Sequence, residues 1–251
     1  GGAGSDTLNF QTTSDRTLTL TNNGATNFEN IIGSFGSDTI TGDANANVLS
    51  DGGSSDGSFA LSVGSDTGND TIYGLGGDDT LIGSVGNDTL DGGTGADTLT
   101  SGSGIDTLVI RAGDGGSTLA GADTFTDFTD GTDLIGLDGI ASSNLTIAQG
   151  SGSNISDTVI SLTSTGEFLA LLQNITAANI TAFDLTSTST AAQTLRGTSG
   201  DDALVGGSGV DTISGLGGSD TIQAAAGDDV ITVSGKSGVF ADAINGGTGT
   251  D

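Results

Sequence analysis

The chain has 251 residues and a formal net charge of −28 at pH 7, because 32 acidic residues face only four basic ones. This charge argues against nucleic acid and anionic membranes as partners and favours cations. Histidine and cysteine are absent, which excludes disulfides, histidine-dependent triads and the preferred ligands of zinc.

Two further classes are disfavoured by the distribution of apolar residues. No apolar run approaches the roughly 20 residues that a membrane span needs. A flexible linker rich in glycine and serine is the plainest alternative to a folded domain. The regular spacing of the apolar residues argues against that alternative, although glycine accounts for 46 positions.

Residues 1–64 are predicted to hold partial repeat turns and a strand-turn-strand segment. A nine-residue unit opens the chain at 1–9 (GGAGSDTLN), and the alternating stretch 17–32 turns at Asn-Asn-Gly. Looser units follow at 33–41 and 42–50, where Asn47 takes the aspartate position. Residues 51–64 are interpreted as an insertion.

The first regular array spans 65–109. Its unit is G-G-x-G-x-D-x-U-x, where U is a large aliphatic residue. Five units follow one another without a gap, at 65–73, 74–82, 83–91, 92–100 and 101–109. Such a fixed short period is typical of a stacked repeat architecture.

Residues 110–193 lack the nine-residue period and are predicted to form a small, non-repetitive β flank. Alternating stretches at 124–128, 133–137, 145–148, 157–163 and 168–172 indicate strands, expected to be antiparallel. One helical turn is predicted near 176–182.

A second array spans 197–232, and 233–251 is interpreted as an insertion followed by the start of a further repeat. The motif GGxGxD occurs at 1–6 and again at 246–251, an offset of 246 − 1 = 245 residues. A large tandem duplication is one explanation, and two independent nonapeptide arrays are the other.

The nine-residue unit predicts half a coil. Its glycine-rich first six residues form a turn, and its last three, such as Thr98-Leu99-Thr100, form a short strand. Two units complete a coil, so parallel strands stack about 4.8 Å apart on each side. The U residues then point inward and build a thin core: Ile72, Leu81, Leu90, Leu99, Leu108, Leu204, Ile213, Ile222 and Ile231.

The aspartates sort into rows, because residues eighteen apart share one side of adjacent coils. Asp70, Asp88 and Asp106 form one row and Asp79 and Asp97 the other, while Asp202 pairs with Asp220 and Asp211 with Asp229. Carboxylates about 5 Å apart repel one another unless a cation lies between them. Calcium takes six to eight oxygen ligands, and carboxylates and turn carbonyls supply them. Several bound Ca²⁺ ions are therefore predicted.

These units resemble the RTX, or haemolysin-type, calcium-binding nonapeptide repeats. The resemblance implies an all-β fold, a parallel β-roll with calcium between its turns and a small β element between the arrays; a plain β-sandwich is the alternative fold. It also implies metal ligands at the aspartates named above, at Asp6 and Asp38, and at turn carbonyls. The glycines carried over as carbonyl ligands are Gly77, Gly86, Gly93, Gly95, Gly102, Gly104, Gly207, Gly209 and Gly218.

The resemblance implies a secreted, extracellular or cell-surface protein exported by a type I system, and no catalytic residue is predicted. A structural repeat of a surface layer, filament or giant adhesin is the favoured function, with neighbouring copies and cell-surface glycans as candidate partners. The alternative is the calcium-binding and export module of a secreted protease, lipase or epimerase. A ligand-binding module that uses threonine ladders is disfavoured, because the outward turn positions are irregular.

Overall fold

A computed structural model describes residues 7–10, 15–20, 30–33, 36–42, 45–50, 68–233 and 242–251. The predicted ligand Asp6 and the predicted insertion at 51–64 lie outside these ranges, as does most of the insertion predicted at 233–245. In the described part, the only helices are single turns of 3₁₀ helix, at Leu119–Gly121, Ser142–Asn144, Gly152–Asn154, Ala177–Asn179 and Ala182–Asp184. None of them has the length or hydrophobicity to cross a membrane.

Short strands alternate along the chain between two sheets. One sheet has nine strands, in the order β1 (Thr7–Asn9), β3 (Asn30–Ile32), β5 (Val48–Ser50), β7 (Thr80–Ile82), β9 (Thr98–Thr100), β11 (Asp123–Phe125), β15 (Phe168–Leu172), β14 (Thr158–Leu162) and β13 (Leu145–Gln149). The other has seven, in the order β16 (Leu185–Ser187), β12 (Leu134–Asp138), β10 (Thr107–Arg111), β8 (Thr89–Asp91), β6 (Thr71–Tyr73), β4 (Thr39–Thr41) and β2 (Thr17–Thr19).

The second array forms two further sheets of three strands each. They are β17 (Thr194–Arg196) with β19 (Thr212–Ser214) and β21 (Val230–Thr232), and β18 (Ala203–Val205) with β20 (Thr221–Gln223) and β22 (Ala243–Asn245). Its first turns contact the end of the seven-stranded sheet, where the Ser187 N–H donates to the Gly206 carbonyl at 2.9 Å.

Strand pairing within both arrays is parallel and in register with the repeat. Thr80 faces Thr98 and Leu81 faces Leu99, so the register step is eighteen residues, or two units. Every U residue of the first array has no exposed surface, and the U residues of both sheets belong to one core. The predicted all-β fold with parallel β-roll coils is confirmed.

The flank continues the roll before it departs from it. Strands β11 and β12 pair in parallel with β9 and β10, so the first two predicted stretches extend the two sheets. The other three become β13, β14 and β15, which pair antiparallel with one another. Strands β2 and β3, from the predicted strand-turn-strand segment, lie in different sheets and do not pair together.

The turns use left-handed backbone at two positions of the unit. In most units the second and fourth residues have positive φ, as at Gly93 (+85°) and Gly95 (+147°). The second position is not reserved for glycine, because Leu75 adopts φ +79° and Ala225 φ +73°. This repeated turn brings the first and sixth residues of each unit together.

Candidate metal centres

Each regular turn places its aspartate beside the first-position glycine of the same unit. A Cβ added to Gly74, the first residue of its unit, would collide with Oδ2 of Asp79 in the same unit and with the Gly92 carbonyl oxygen of the next coil on that side. In the second array, a Cβ on Gly206 would lie 2.6 Å from Asp211 Oδ2 and 2.5 Å from the Ala224 carbonyl oxygen. A side-chain oxygen and a main-chain oxygen thus converge where only glycine leaves room.

One oxygen of each carboxylate is used in a ladder between coils. Asp70 N–H donates to Asp88 Oδ1 at 2.8 Å, and Asp88 N–H donates to Asp106 Oδ1 at 2.9 Å. In the second row, Asp79 N–H donates to Asp97 Oδ1 at 2.7 Å. The second array repeats the arrangement from Asp211 to Asp229 at 2.7 Å. These charge-assisted bonds fix the orientation of every acid in a row.

The other oxygen is buried and points between coils. Among the described residues, Oδ2 of Asp97, Asp106 and Asp229 has no hydrogen-bond partner. The three side chains are 1%, 0% and 3% exposed. An ionised carboxylate taken out of water costs several kcal/mol unless a positive charge compensates it. The arrangement therefore requires a bound cation or bound protons.

Burial without a compensating positive charge also affects the pKa values of the acids in and beside the rows. Burial is the largest cause that raises the pKa of Asp97, Asp106 and Asp133 above the ordinary value. It raises the pKa of Asp123 to about 9, with a further contribution from the charge of Asp97. Burial raises the pKa of Asp114 to about 7, although Arg111 opposes the shift. Burial therefore opposes ionisation of these five acids, and it does so most strongly at Asp123.

The donor set fits calcium. All the converging atoms are hard carboxylate and carbonyl oxygens, which Ca²⁺ prefers, and the chain has no histidine or cysteine for softer metals. No three acidic side chains within the described ranges converge closely enough to hold an ion alone. Each ion would therefore take one or two carboxylates and complete its shell with carbonyl oxygens or water. Bound calcium would supply the positive charge that the buried rows lack.

The sequence-predicted acids have well-defined places in the described structure. All except Asp202, which is half-buried, lie buried between coils: Asp38, Asp70, Asp79, Asp88, Asp97, Asp106, Asp211, Asp220 and Asp229. Asn47, in an aspartate position, is also buried, and its N–H donates to Asp79 Oδ1 at 2.6 Å.

The predicted carbonyl ligands fall into two columns. Gly77, Gly86, Gly95, Gly104, Gly209 and Gly218 occupy the fourth position of their units, and Gly93, Gly102 and Gly207 the second. A Cβ on Gly95 or Gly104 would strike the carbonyl oxygen of Gly77 or Gly86 in the preceding coil of the same side. The Gly207 carbonyl accepts a hydrogen bond from Ala226 N–H at 3.0 Å. The assignment of these glycines as ligands stays a prediction.

Sequence reasoning missed two groups of residues. The first is the column of first-position carbonyls, such as those of Gly92 and Ala224, which lie beside the same glycine Cβ positions as the aspartate oxygens. The second is a set of acids that continue the rows beyond the two arrays: Asp123, Asp133, Asp242 and Asp251. The local pattern Asp-x-U in DTF (123–125), DLI (133–135) and DAI (242–244) could have revealed three of these acids.

The fold and the buried acidic rows define a parallel β-roll whose turns are built to hold hard cations. The model of the RTX calcium-binding nonapeptide repeat matches residues 23–56, 65–90, 73–108 and 196–231. These segments match the RTX calcium-binding nonapeptide repeat, and RTX nonapeptide repeats bind calcium ions.

Comparison with curated protein sequences gives no match. Among solved structures, the AlgE6R3 subunit of the Azotobacter vinelandii mannuronan C5-epimerase, known from a solution structure, is similar at 18% identity. The similarity covers 73% of this chain and 80% of that chain, with a TM-score of 0.26. A likeness at that TM-score carries no argument about function.

Proposed function

We propose that this chain is a calcium-dependent structural repeat of a secreted protein and that it folds when it meets calcium outside the cell. The observation that carries the proposal is the set of buried acidic rows: Asp106 Oδ1 accepts a ladder bond from Asp88 N–H, while among the described residues its buried Oδ2 has no hydrogen-bond partner. At neutral pH, a cation between the coils would supply the positive charge that stabilises such rows.

The mechanism follows from charge and linkage. Without calcium, a charge of −28 favours an expanded chain, which suits export in an unfolded state. Calcium binds the paired turns of the folded state and not the separated turns of the unfolded chain. The binding free energy therefore becomes folding free energy.

Calcium titration of the chain tests this proposal. We expect the far-ultraviolet circular dichroism of the metal-free chain to resemble that of a disordered polypeptide, and added calcium to produce the β spectrum. Excess EGTA should reverse the change. Retention of the full β spectrum in EGTA at neutral pH would contradict the proposal.

A structural or adhesive role at the cell surface is the finer part of the proposal, and catalysis is not part of it. The chain has no histidine or cysteine and one lysine. The motif GGxGxD recurs at an offset of 245 residues. Its second occurrence has roll geometry, because Gly247 (φ +84°) and Gly249 (φ +146°) match the second and fourth positions of other turns. The same turn geometry at Gly247 and Gly249 as at Gly93 and Gly95 of the first array favours an extended assembly of like units.

Electron micrographs test the assembly. We expect filaments or sheets when concentrated protein is imaged with calcium, and their loss in EGTA. Isolated particles under both conditions would contradict self-assembly. They would leave a calcium-binding module of a larger secreted enzyme as the remaining hypothesis.

A further inference from the structure

The acidic row of the nine-stranded sheet continues past the last nonapeptide of the first array. Asp97 N–H donates to Asp123 Oδ1 at 3.1 Å, in the same way that Asp79 N–H donates to Asp97. Asp123 is the first residue of β11, which pairs with β9 in the parallel register of the roll, with Thr124 facing Thr98. Asp123 thus occupies an aspartate position of the roll, although it lies in the flank, 26 residues after Asp97.

Asp123 retains a buried carboxylate oxygen without a hydrogen bond. Its side chain is 1% exposed, and among the described residues its Oδ2 has no hydrogen-bond partner. Oδ2 of Asp97, one coil below, also has none. Because the Asp97 N–H donates to Asp123 Oδ1, two neighbouring buried carboxylates keep one unused oxygen each.

The acidic row of the seven-stranded sheet ends differently, at Asp133. Asp106 N–H donates to Asp133 Oδ1 at 3.1 Å, but the Thr129 N–H donates to Asp133 Oδ2 at 2.7 Å. Both oxygens of Asp133 are thus satisfied by the main chain. Asp133 closes its row with hydrogen bonds, whereas Asp123 leaves its row open.

A third acid enters the same region. The Asp114 carbonyl accepts from Gly95 N–H at 3.2 Å, just as the Thr94 carbonyl accepts from Gly77 N–H at 3.0 Å, so Asp114 takes a regular turn position above Gly95. Asp114 is 5% exposed, and its Oδ2 lies 3.4 Å from Arg111 Nη1 without a hydrogen bond.

Arg111 neutralises this group of acids only in part. Its hydrogen bonds go to Asp91 and to Asp138, the latter at 2.9 Å, and it forms an ion pair with Asp114. One guanidinium is therefore shared among three carboxylates, and the negative charges of Asp97, Asp114 and Asp123 exceed what it can balance.

We propose that a calcium ion binds at the junction between the first array and the flank, with Asp97 and Asp123 as direct ligands and Asp114 as a charged neighbour that raises the affinity. No three of these acids converge in the manner of a side-chain cage, which is why Asp114 is assigned a role through its charge. Neither Asp114 nor Asp123 belongs to a nonapeptide. The inference rests on the proposed calcium binding of the roll and extends it beyond the repeat motif.

Counting bound ions tests the proposal. The full chain and its variants would be equilibrated with calcium just above the concentration that saturates the wild type, and bound calcium per chain would be measured by equilibrium dialysis. Asp123→Asn keeps an oxygen for the ladder bond from Asp97 but loses the charge, and we expect one fewer bound ion. Asp114→Asn should keep the ion but lower the affinity of one site about tenfold.

Asp130→Asn is the matched control, since Asp130 is an exposed acid of the same flank and the substitution changes the charge equally. An unchanged ion count in Asp123→Asn, together with unchanged affinities in Asp114→Asn, would overturn the proposal. If Asp123→Asn fails to fold in calcium, the Asp114→Asn affinities alone decide: a loss confined to one site supports the proposal, and none overturns it. A wild type that binds no calcium would instead refute the proposed function itself.

Discussion

At the scale of single residues, the roll depends on close approach between the turns of successive coils. A Cβ on Gly102 would collide with the Ser84 carbonyl oxygen of the coil below. The left-handed conformation alone is less restrictive, because Leu75 and Ala225 adopt it with side chains. Glycine is therefore required mainly where a carbonyl of the adjacent coil occupies the Cβ position.

Two glycines allow the effect of left-handed conformation to be distinguished from the effect of close approach between coils. Gly102 (φ +100°) and Gly113 (φ +98°) have nearly the same conformation, and each N–H donates to a carboxylate at 2.8 Å. A Cβ on Gly113 would meet nothing within 4 Å. We expect Gly113→Ala to cost about 1 kcal/mol and Gly102→Ala about 3 kcal/mol or more, measured by urea unfolding in saturating calcium. Equal losses would show that conformation, not close approach, is limiting.

The buried carboxyls predict a pH dependence for the metal-free protein. The raised pKa values, about 7 for Asp114 and about 9 for Asp123, mean that the native state holds more protons than the unfolded chain above pH 4. The free energy of unfolding should then fall as the pH rises across that window. In calcium-free buffer, circular dichroism should show more β structure at pH 5 than at pH 8.

A variant isolates the contribution of one carboxyl. Asp123→Asn carries no charge to bury, so the pH dependence should be weaker than in the wild type, and at pH 8 without calcium the variant should have more β structure. In calcium the order should reverse, because ionised carboxylates are what calcium binds. Greater β content of the metal-free wild type at pH 8 than at pH 5 would contradict this account.

At the scale of strands and turns, the period of nine residues predicted the features that recur in every unit. It did not predict the features that lie outside the repeats. The inward U residues and the two acidic rows follow from geometry alone, because an eighteen-residue step returns to the same side. The continuation through Asp123 and Asp133 breaks the period, since those steps are 26 and 27 residues, and only the local Asp-x-U pattern marks these two acids. Nor can a sequence show which carbonyls face the aspartates, because every residue carries one.

A second limit concerns strands that the sequence places next to each other. Strands β2 and β3 flank an Asn-Asn-Gly turn signal, yet β2 pairs with β4 and β3 with β1 and β5. Local turn chemistry favours adjacent pairing, but each strand has an apolar residue that joins the common core, Leu18 at its edge and Ile31 within it. Burial in the stacked core decides the partner.

Arg111 joins three adjacent strands of the seven-stranded sheet. It extends from β10 and bonds Asp91 on β8 and Asp138 on β12. Asp91 is 7% exposed, so Arg111→Gln would leave a buried carboxylate without its cation. We expect a loss of about 2 kcal/mol, less than for a fully buried pair because Arg111 is partly exposed.

Urea unfolding in saturating calcium would measure this loss. Arg196→Gln is the control, since Arg196 is an exposed arginine at the end of β17 and the change in charge is equal. A similar loss in both variants would mean that general charge, and not the bridge between strands, accounts for the effect.

At the scale of the whole molecule, net charge and fold oppose each other until cations enter. A chain of this length would have a radius of gyration of roughly 55 Å when unfolded and about 18 Å when compact, with an elongated roll somewhat above the lower value. Screening by salt weakens the repulsion between exposed charges but does not occupy buried sites. Calcium both screens the exposed charges and occupies the buried sites. Comparing calcium with a salt that only screens therefore separates the two contributions.

Small-angle X-ray scattering in three solutions of equal ionic strength makes the separation. With sodium chloride alone, the radius of gyration should stay near the unfolded value, because buried carboxylates still lack ligands for their charge. Magnesium should produce at most partial compaction, since it holds its water shell and demands a strict octahedron, whereas calcium accepts the carbonyl-rich geometry of the turns. Full compaction should therefore require calcium; equal compaction in sodium chloride would mean that screening, and not binding between the coils, folds the roll.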